Sequence, residues 1–305
     1  MAEIGPKVSV IIPCFNSGNY IKEAVDSAIR QRSPELSLEI LVINDHSDDP
    51  GTLDALNDVS GFEQVRVIDN QGKRGPAAAR NLGIAQAKGD WIAFMDADDM
   101  FAPNSIAARL AALRAHPDAA WIGGDVAQCA EDATITEASY FRARPRSLRY
   151  LQEPFDSGEP ARFDDALQVF LDVALVNTTS SIIRTSELRA TGGFNETLRL
   201  QQDLHLFLRL ARRLPFVFVP AVVAINRQHP NNSTRNYEKT LRWRHAALSM
   251  LARDDGFRKN AALKRKLKQV ALELSHEHLK QNRHVPALIW RAISLLDLTS
   301  SLPGS

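Results

Sequence analysis

The chain has 305 residues, enough to bury one large core, and its 37 Lys and Arg nearly balance 36 Asp and Glu for a net charge of +1. That balance gives no ground for nucleic-acid binding. Two cysteines supply no disulfide framework and suit a reducing cytoplasm, and no apolar stretch is long enough to span a bilayer.

The run Val8-Ser9-Val10-Ile11-Ile12-Pro13 reads as a buried strand, and residues 19–30 as a helix with apolar positions at Ile21, Ala24, Val25, Ala28 and Ile29. Residues 39–43 form a second apolar run that stops at Asn44-Asp45-His46-Ser47, and residues 65–68 a third. Residues 75–87 are Ala-rich, predicting a helix closed by a glycine cap at Gly89. A fourth strand, from Trp91, ends in Asp96-Ala97-Asp98-Asp99. Three carboxylates so close repel one another unless a cation or a set of donors is present. Strand alternation predicts that Asp96 and Asp98 share a side while Asp99 turns away. Paired hard oxygen ligands suit Mg2+ or Mn2+; the alternative is an Asp-rich turn that caps the next helix. Strands alternating with helices predict an α/β fold with a mostly parallel sheet and a ligand crevice beyond the strands' carboxyl ends.

Residues 130–160 turn polar and irregular, which predicts a loop-rich segment over that crevice. Arg142, Arg144, Arg146 and Arg149 read as a solvated face or as a contact for an anionic acceptor or lipid head groups. Asp203 either caps a helix over residues 204–210 or acts at the site. From Asn236 the pattern is helical: residues 237–253, 257–280 and 286–298. The last of these places Leu288, Ile289, Ala292, Ile293, Leu295 and Leu296 on a broad apolar face, which predicts either packing on the preceding helices or a second subunit, or docking on a membrane. Gly72 and Gly75 flank Lys73-Arg74, yet no phosphate-loop pattern is present. Asn177, Asn195 and Asn232 open N-glycosylation patterns, but nothing at Met1 to Val8 resembles a signal peptide, so they are read as unmodified.

Together the Val8-to-Asn16 opening, Ile43-Asn44-Asp45-His46-Ser47-Asp48, Gly75-Pro76-Ala77-Ala78-Ala79-Arg80-Asn81 and Met95-Asp96-Ala97-Asp98-Asp99 resemble the family 2 glycosyltransferases. Gly192-Gly193-Phe194-Asn195-Glu196, Gln202-Asp203 and Gln228-His229-Pro230 continue that resemblance, over roughly residues 7–235. It implies a GT-A fold over residues 1–235, a nucleotide-binding half (about 1–127) and an acceptor-binding half (about 128–235), followed by a C-terminal helical extension (236–305). It further implies a nucleotide-diphosphate sugar donor, a divalent metal and a saccharide or lipid-linked acceptor, in surface polysaccharide or glycolipid synthesis. Composition leads us to expect the chain in the cytoplasm or peripherally at the inner face of the membrane.

By the same resemblance, Pro13, Phe15, Asn16 and Asp45 hold the base and Arg80 contacts the nucleotide. Asp96 lies near the ribose and metal, Asp98 is the principal metal ligand, and His229 assists at the metal or diphosphate. Asp203 is the catalytic base, with Gln202 and Asn177 on the acceptor side. The chemistry agrees: a cation stabilises charge developing on the departing diphosphate, and a carboxylate that takes the acceptor's proton contributes about 10²–10⁴-fold. One departure is Gln202, where the family has Glu. It motivates the alternative of a nucleotide-sugar-binding protein without transferase activity.

Overall fold

The structure is a computed structural model that describes residues 6–233 and 235–295. In chain order its elements are β1 (Lys7–Cys14), α1 (Gly18–Ile29), β2 (Ser37–Asn44), α2 (Pro50–Ser60), β3 (Val65–Asp69), α3 (Pro76–Gln86), β4 (Trp91–Phe94), β5 (Met100–Phe101) and α4 (Ser105–Ala111). There follow β6 (Trp121–Cys129), β7 (Ile135–Glu137), α5 (Pro145–Ser157), β8 (Ala161–Phe163), α6 (Ala166–Asp172), β9 (Ser181–Arg184), α7 (Thr185–Thr191), α8 (Gln202–Ala211) and β10 (Phe216–Arg227). Three helices close the described chain: α9 (Tyr237–Arg253), α10 (Ala261–Lys280) and α11 (His284–Leu295).

All ten strands join one sheet, whose main order is β3-β2-β1-β4-β9-β6-β10-β5, with β7 on β6 and β8 on β10. The β3-β2-β1-β4 half is parallel. Beyond β4 it is mixed, because β9 runs antiparallel to both neighbours while β6 and β10 run parallel. Alternate residues of the first strands feed opposite faces: Ile11, Leu41, Ile43, Ile92 and Phe94 enter one core, and Val10, Ile12, Ile40, Val42, Trp91 and Ala93 the other. Burial on both faces is why these strands read as continuous apolar runs.

Several sequence expectations shift. α3 is not capped by Gly89: Ala87 closes it in extended conformation. Gly89 is needed for another reason, since a Cβ there would sit 2.6 Å from the Ser9 backbone nitrogen of β1. The 130–160 segment is not loop-rich. It contains β7 and the thirteen-residue α5, which starts at Pro145 and buries Ser147, Leu151, Pro154 and Phe155 along one side. The helix predicted over 204–210 begins two residues earlier, with Gln201 left-handed before it, so Asp203 lies inside the first turn rather than at the cap. The helix predicted from 257 starts at Ala261, where the Asn260 side chain accepts the Leu263 N–H.

α11 packs on the preceding helices through the buried Ala287 and Ser294 and through Trp290, whose ring centroid lies 5.0 Å from that of His245 on α9, with the Ser275 hydroxyl donating to the Ala287 carbonyl at 2.8 Å. Its Leu288, Ile289, Ala292 and Leu295 point outward and are exposed, so packing on the preceding helices does not account for them. Each large aliphatic left out forgoes about 1.5–3 kcal/mol of burial. Leu296 and the rest of the predicted helix to 298 fall outside the described residues. No helix among the described residues is long and apolar enough to cross a membrane.

Candidate functional site

The carboxyl ends of β1, β2 and β4 open on one crevice, as adjacent parallel strands require. Its wall is a set of loops tied by side chains. Asn16, with φ 47°, donates from Nδ2 to Asp48 at 2.7 Å and accepts the Asp48 and Asp49 N–H groups, joining the β1 turn to the β2 turn. The buried Asp45 carboxylate accepts from Asn70 Nδ2 at 2.8 Å and from the Gly75 N–H at 2.9 Å. It thereby fixes the turn in which Gly75 adopts φ 142°, a conformation that favours glycine, just before Pro76 starts α3. Phe15 follows the partly buried Pro13 and is 37% exposed, with the Arg74 guanidinium 3.9 Å above its ring centroid. Asn16 and Asp45 thus shape the loops, while Phe15 offers a flat surface at the rim.

The acidic run sits after β4, in a turn closed by the Asp99 N–H donating to the Asp96 carbonyl at 3.1 Å. Asp96, Asp98 and Asp99 each place a carboxylate oxygen within 4.8 Å of the others'. Strand alternation does not produce this grouping, because β4 ends at Phe94 and a turn gathers all three. Asp99 nevertheless faces inward. It is buried, and accepts the Thr179 hydroxyl at 2.7 Å, the Asn226 side-chain amide and the Arg227 N–H at 3.1 Å. Burial, then Asp98 and Asp96, push its carboxyl well above the usual carboxylate range. Asn177 stands behind this group, donating from Nδ2 to Asn226 Oδ1 at 2.5 Å.

Asp96 and Asp98 face outward, with side chains 39% and 28% exposed. Arg80 Nη2 donates to Asp96 Oδ1 at 2.5 Å, and His229 Nε2 lies 2.9 Å from Asp98 Oδ2. Burial and the Asp96 charge raise the Asp98 carboxyl above its ordinary value, partly offset by His229. Oxygen donors that repel one another and remain open to solvent fit a hard divalent cation. Arg80 is 5% exposed, and its bond to Asp96 ties α3 to the acidic turn.

Asp203 projects from the first turn of α8, half-buried, and accepts its neighbour's N–H from Leu204 at 2.8 Å. Burial raises its carboxyl, while that N–H and the Arg80 charge pull it down and Asp96 pushes it up. Asp203 therefore shares an electrostatic environment with the acidic turn. Gln202 is buried with Oε1 unpartnered among the described residues. The Gly192-to-Glu196 loop is clamped to α3 by Asn81, which accepts the Phe194 N–H at 2.8 Å and donates to Glu196 Oε1 at 2.8 Å.

The structure thus brings Arg80, Asp96, Asp98 and His229 together, sets Asn177 one layer behind, and places Pro13, Phe15, Asn16 and Asp45 along a separate wall. Sequence reasoning missed Thr179, Asn226 and Arg227. Arg227, buried, donates from Nε to the Asp98 carbonyl at 3.1 Å and pairs with Glu23 at 2.6 Å, fixing the turn's backbone. Its only signal was adjacency to Gln228-His229.

The sequence model of Glycosyl transferase family 2 matches residues 9–165. An uncharacterized glycosyltransferase of Rickettsia felis is 28% identical over 232 residues, covering 75% of this chain and 35% of the relative. The poly(ribitol-phosphate) beta-glucosyltransferase of Bacillus spizizenii is 39% identical over 104 residues, covering 33% of this chain and 16% of the relative. The chain thus spans about a third or less of the length of these curated relatives. Among solved structures, S. aureus TarS 1-349 in complex with UDP-GlcNAc superposes with a TM-score of 0.65 at 18% identity, covering 95% of this chain and 82% of that one. The fold is that of the GT-A glycosyltransferases.

Proposed function

The chain belongs to glycosyl transferase family 2, and we propose that it moves a sugar from a nucleotide-diphosphate donor, a UDP-sugar, to a hydroxyl of a saccharide or lipid-linked acceptor. The observation that carries this reading is the meeting of Asp96, Asp98 and His229 beside Arg80, with Asp203 in the same field. The names of the Bacillus relative and of a Rhizobium succinoglycan biosynthesis protein, 36% identical over 103 residues, support a role in surface polysaccharide synthesis.

In this reading Asp98 and Asp96, with His229, hold Mn2+ or Mg2+, which when bound neutralises charge on the departing diphosphate. Arg80 orients Asp96 from beneath and acts on the donor through it. Phe15, Pro13, Asn16 and Asp45 wall the base site, with residues 1–127 serving the donor and 128–235 the acceptor. Asp203 takes the proton from the acceptor hydroxyl as that oxygen attacks the anomeric carbon and the bond to the diphosphate breaks, inverting the centre. Its raised pKa strengthens it as a base at neutral pH. Gln202 and Asn177 serve the acceptor side, Asn177 by holding Asn226 against Asp99, and the outward face of α11 serves as a peripheral membrane contact.

The test is release of nucleoside diphosphate from a panel of nucleotide sugars, with crude cell-envelope acceptor, in Mn2+ and in excess EDTA. Release from a UDP-sugar only with the metal is the expected result. Tight UDP binding without turnover on any acceptor would favour the non-transferring alternative that Gln202 motivates.

A further inference from the structure

Away from the crevice, α5, α6 and α10 border an open recess of about 450 Å³, within the size range of small-ligand sites. Arg149, Tyr150, Asp172, Arg265, Lys266 and Gln269 are among its polar lining residues. Three of these are cations and one is a carboxylate. That carboxylate is already engaged, since Asp172 accepts from Arg149 at 2.7 Å and from the Tyr150 hydroxyl at 3.1 Å. Lys266 donates only to the Asp172 backbone carbonyl, at 3.2 Å, and neither it nor Arg265 has a carboxylate partner among the described residues. Burial, then Arg146 and Arg244, push the Lys266 ammonium below the usual lysine range, against an opposing pull from Glu273 and Asp172. With Arg149 paired to Asp172, Arg265 and Lys266 leave the recess an excess of positive charge, which concentrates anions. The Arg265 guanidinium and the Lys266 ammonium suit phosphate oxygens, while the Tyr150 hydroxyl and the Gln269 amide already donate to Asp172 and Glu273.

The recess is also tied to the reaction centre by chain length. Asp172 precedes Asn177 by five residues, which span at most about 18 Å when extended, and Asn177 reaches Asp99 through Asn226. Helix α6 packs on α8, which carries Gln202 and Asp203.

We propose that this recess is an anchoring subsite for a phosphodiester of an anionic acceptor chain, held while a hydroxyl farther along the chain lies at Asp203. It rests on the glycosyl-transfer reading for its purpose, not for its chemistry. A recess between three helices, rather than a flat basic face, favours a discrete phosphodiester over a lipid surface.

The probe is a fluorescent, phosphodiester-linked glycerol oligomer, titrated by anisotropy against the full chain at low and moderate salt, with vesicles containing phosphatidylglycerol in parallel. Calorimetry with UDP and Mn2+ runs on the same preparations. We expect the oligomer to bind, with affinity falling as salt rises. Arg265→Ala with Lys266→Ala should weaken it at least about tenfold while UDP affinity stays unchanged. Arg265 is exposed, so Arg265→Glu is a second variant that the fold tolerates, with a loss at least as large. No oligomer binding by the wild type, or equal binding by the variants, overturns the subsite. Vesicle binding lost in the variants without any oligomer binding also overturns it, giving the cations to a lipid surface. Failure of UDP to bind the wild type would overturn the donor reading alone, because the oligomer titration decides the subsite.

Discussion

Replacing Asp98 by Asn separates the two things the acidic turn does. Two unit charges 4.8 Å apart repel by about 3.5 kcal/mol at an effective dielectric of about 20. Solvent reaches Asp98 and Asp96, so about 1–2 kcal/mol of that survives screening. An asparagine keeps a polar contact for His229 and removes one charge. Metal-free Asp98→Asn should therefore melt at or above the wild type, by about 2–4 °C. The metal response should move the opposite way: a ligand at a hundredfold excess over its Kd stabilises by about 2.7 kcal/mol, and the variant should lose most of that gain. The assay is thermal melting of both proteins in EDTA and in saturating Mn2+, repeated with UDP. An Mn2+ increment in the variant equal to the wild type's would refute the metal assignment. A metal-free variant several degrees less stable would refute the repulsion argument.

Asp203→Asn should lower kcat by about 10²-fold or more with the UDP Kd nearly unchanged, and a near-normal kcat would remove Asp203 as the base. Because burial raises the folded pKa of Asp203 above its unfolded value, its ionisation costs stability above that folded pKa. The variant should accordingly be at least as stable as the wild type at pH 7, an advantage that shrinks as pH falls below the folded pKa and is gone below the unfolded one; melts across acidic pH check this. Arg80→Ala strands Asp96 beside two other carboxylates and should cost about 1.5–3 kcal/mol in urea unfolding. Adding Asp96→Asn should recover much of the loss, and strict additivity of the two changes would deny the coupling. Gly89→Ala drives a Cβ against the Ser9 backbone and should cost about 1–3 kcal/mol, read as a lower urea midpoint.

What was legible in the sequence is what local pattern encodes. Strands β1, β2 and β4 are buried on both faces over most of their length, so they stand out as apolar runs, and the polar residues that end them mark the crevice, whereas the edge strand β3 buries only Val65. The acidic turn was visible as a composition, though not in its geometry, because three residues of turn override the two-residue period of a strand. Helix α5 was obscured by Pro154 inside it and by Arg-rich neighbours, although its stripe of Ser147, Leu151, Pro154 and Phe155 carries helical spacing. β10 was harder still, since its register against β6 shifts around Pro220, where a proline cannot donate to the ladder. Thr179, Asn226 and Arg227 reach Asp99 or Asp98 across eighty or more residues. No window of sequence contains both ends of such a contact.

The position of β9 bears on how the protein comes to exist at all. β4 has β1 on one side and β9 on the other, yet β9 is made about ninety residues later. While the chain is being synthesised, Trp91–Phe94, every residue of which is buried in the finished fold, must wait with one edge unpaired. An apolar open edge is a template for pairing with another chain. A fragment ended near residue 165, where the family match stops, would keep that edge permanently and should aggregate. A fragment carried past Arg184 closes it.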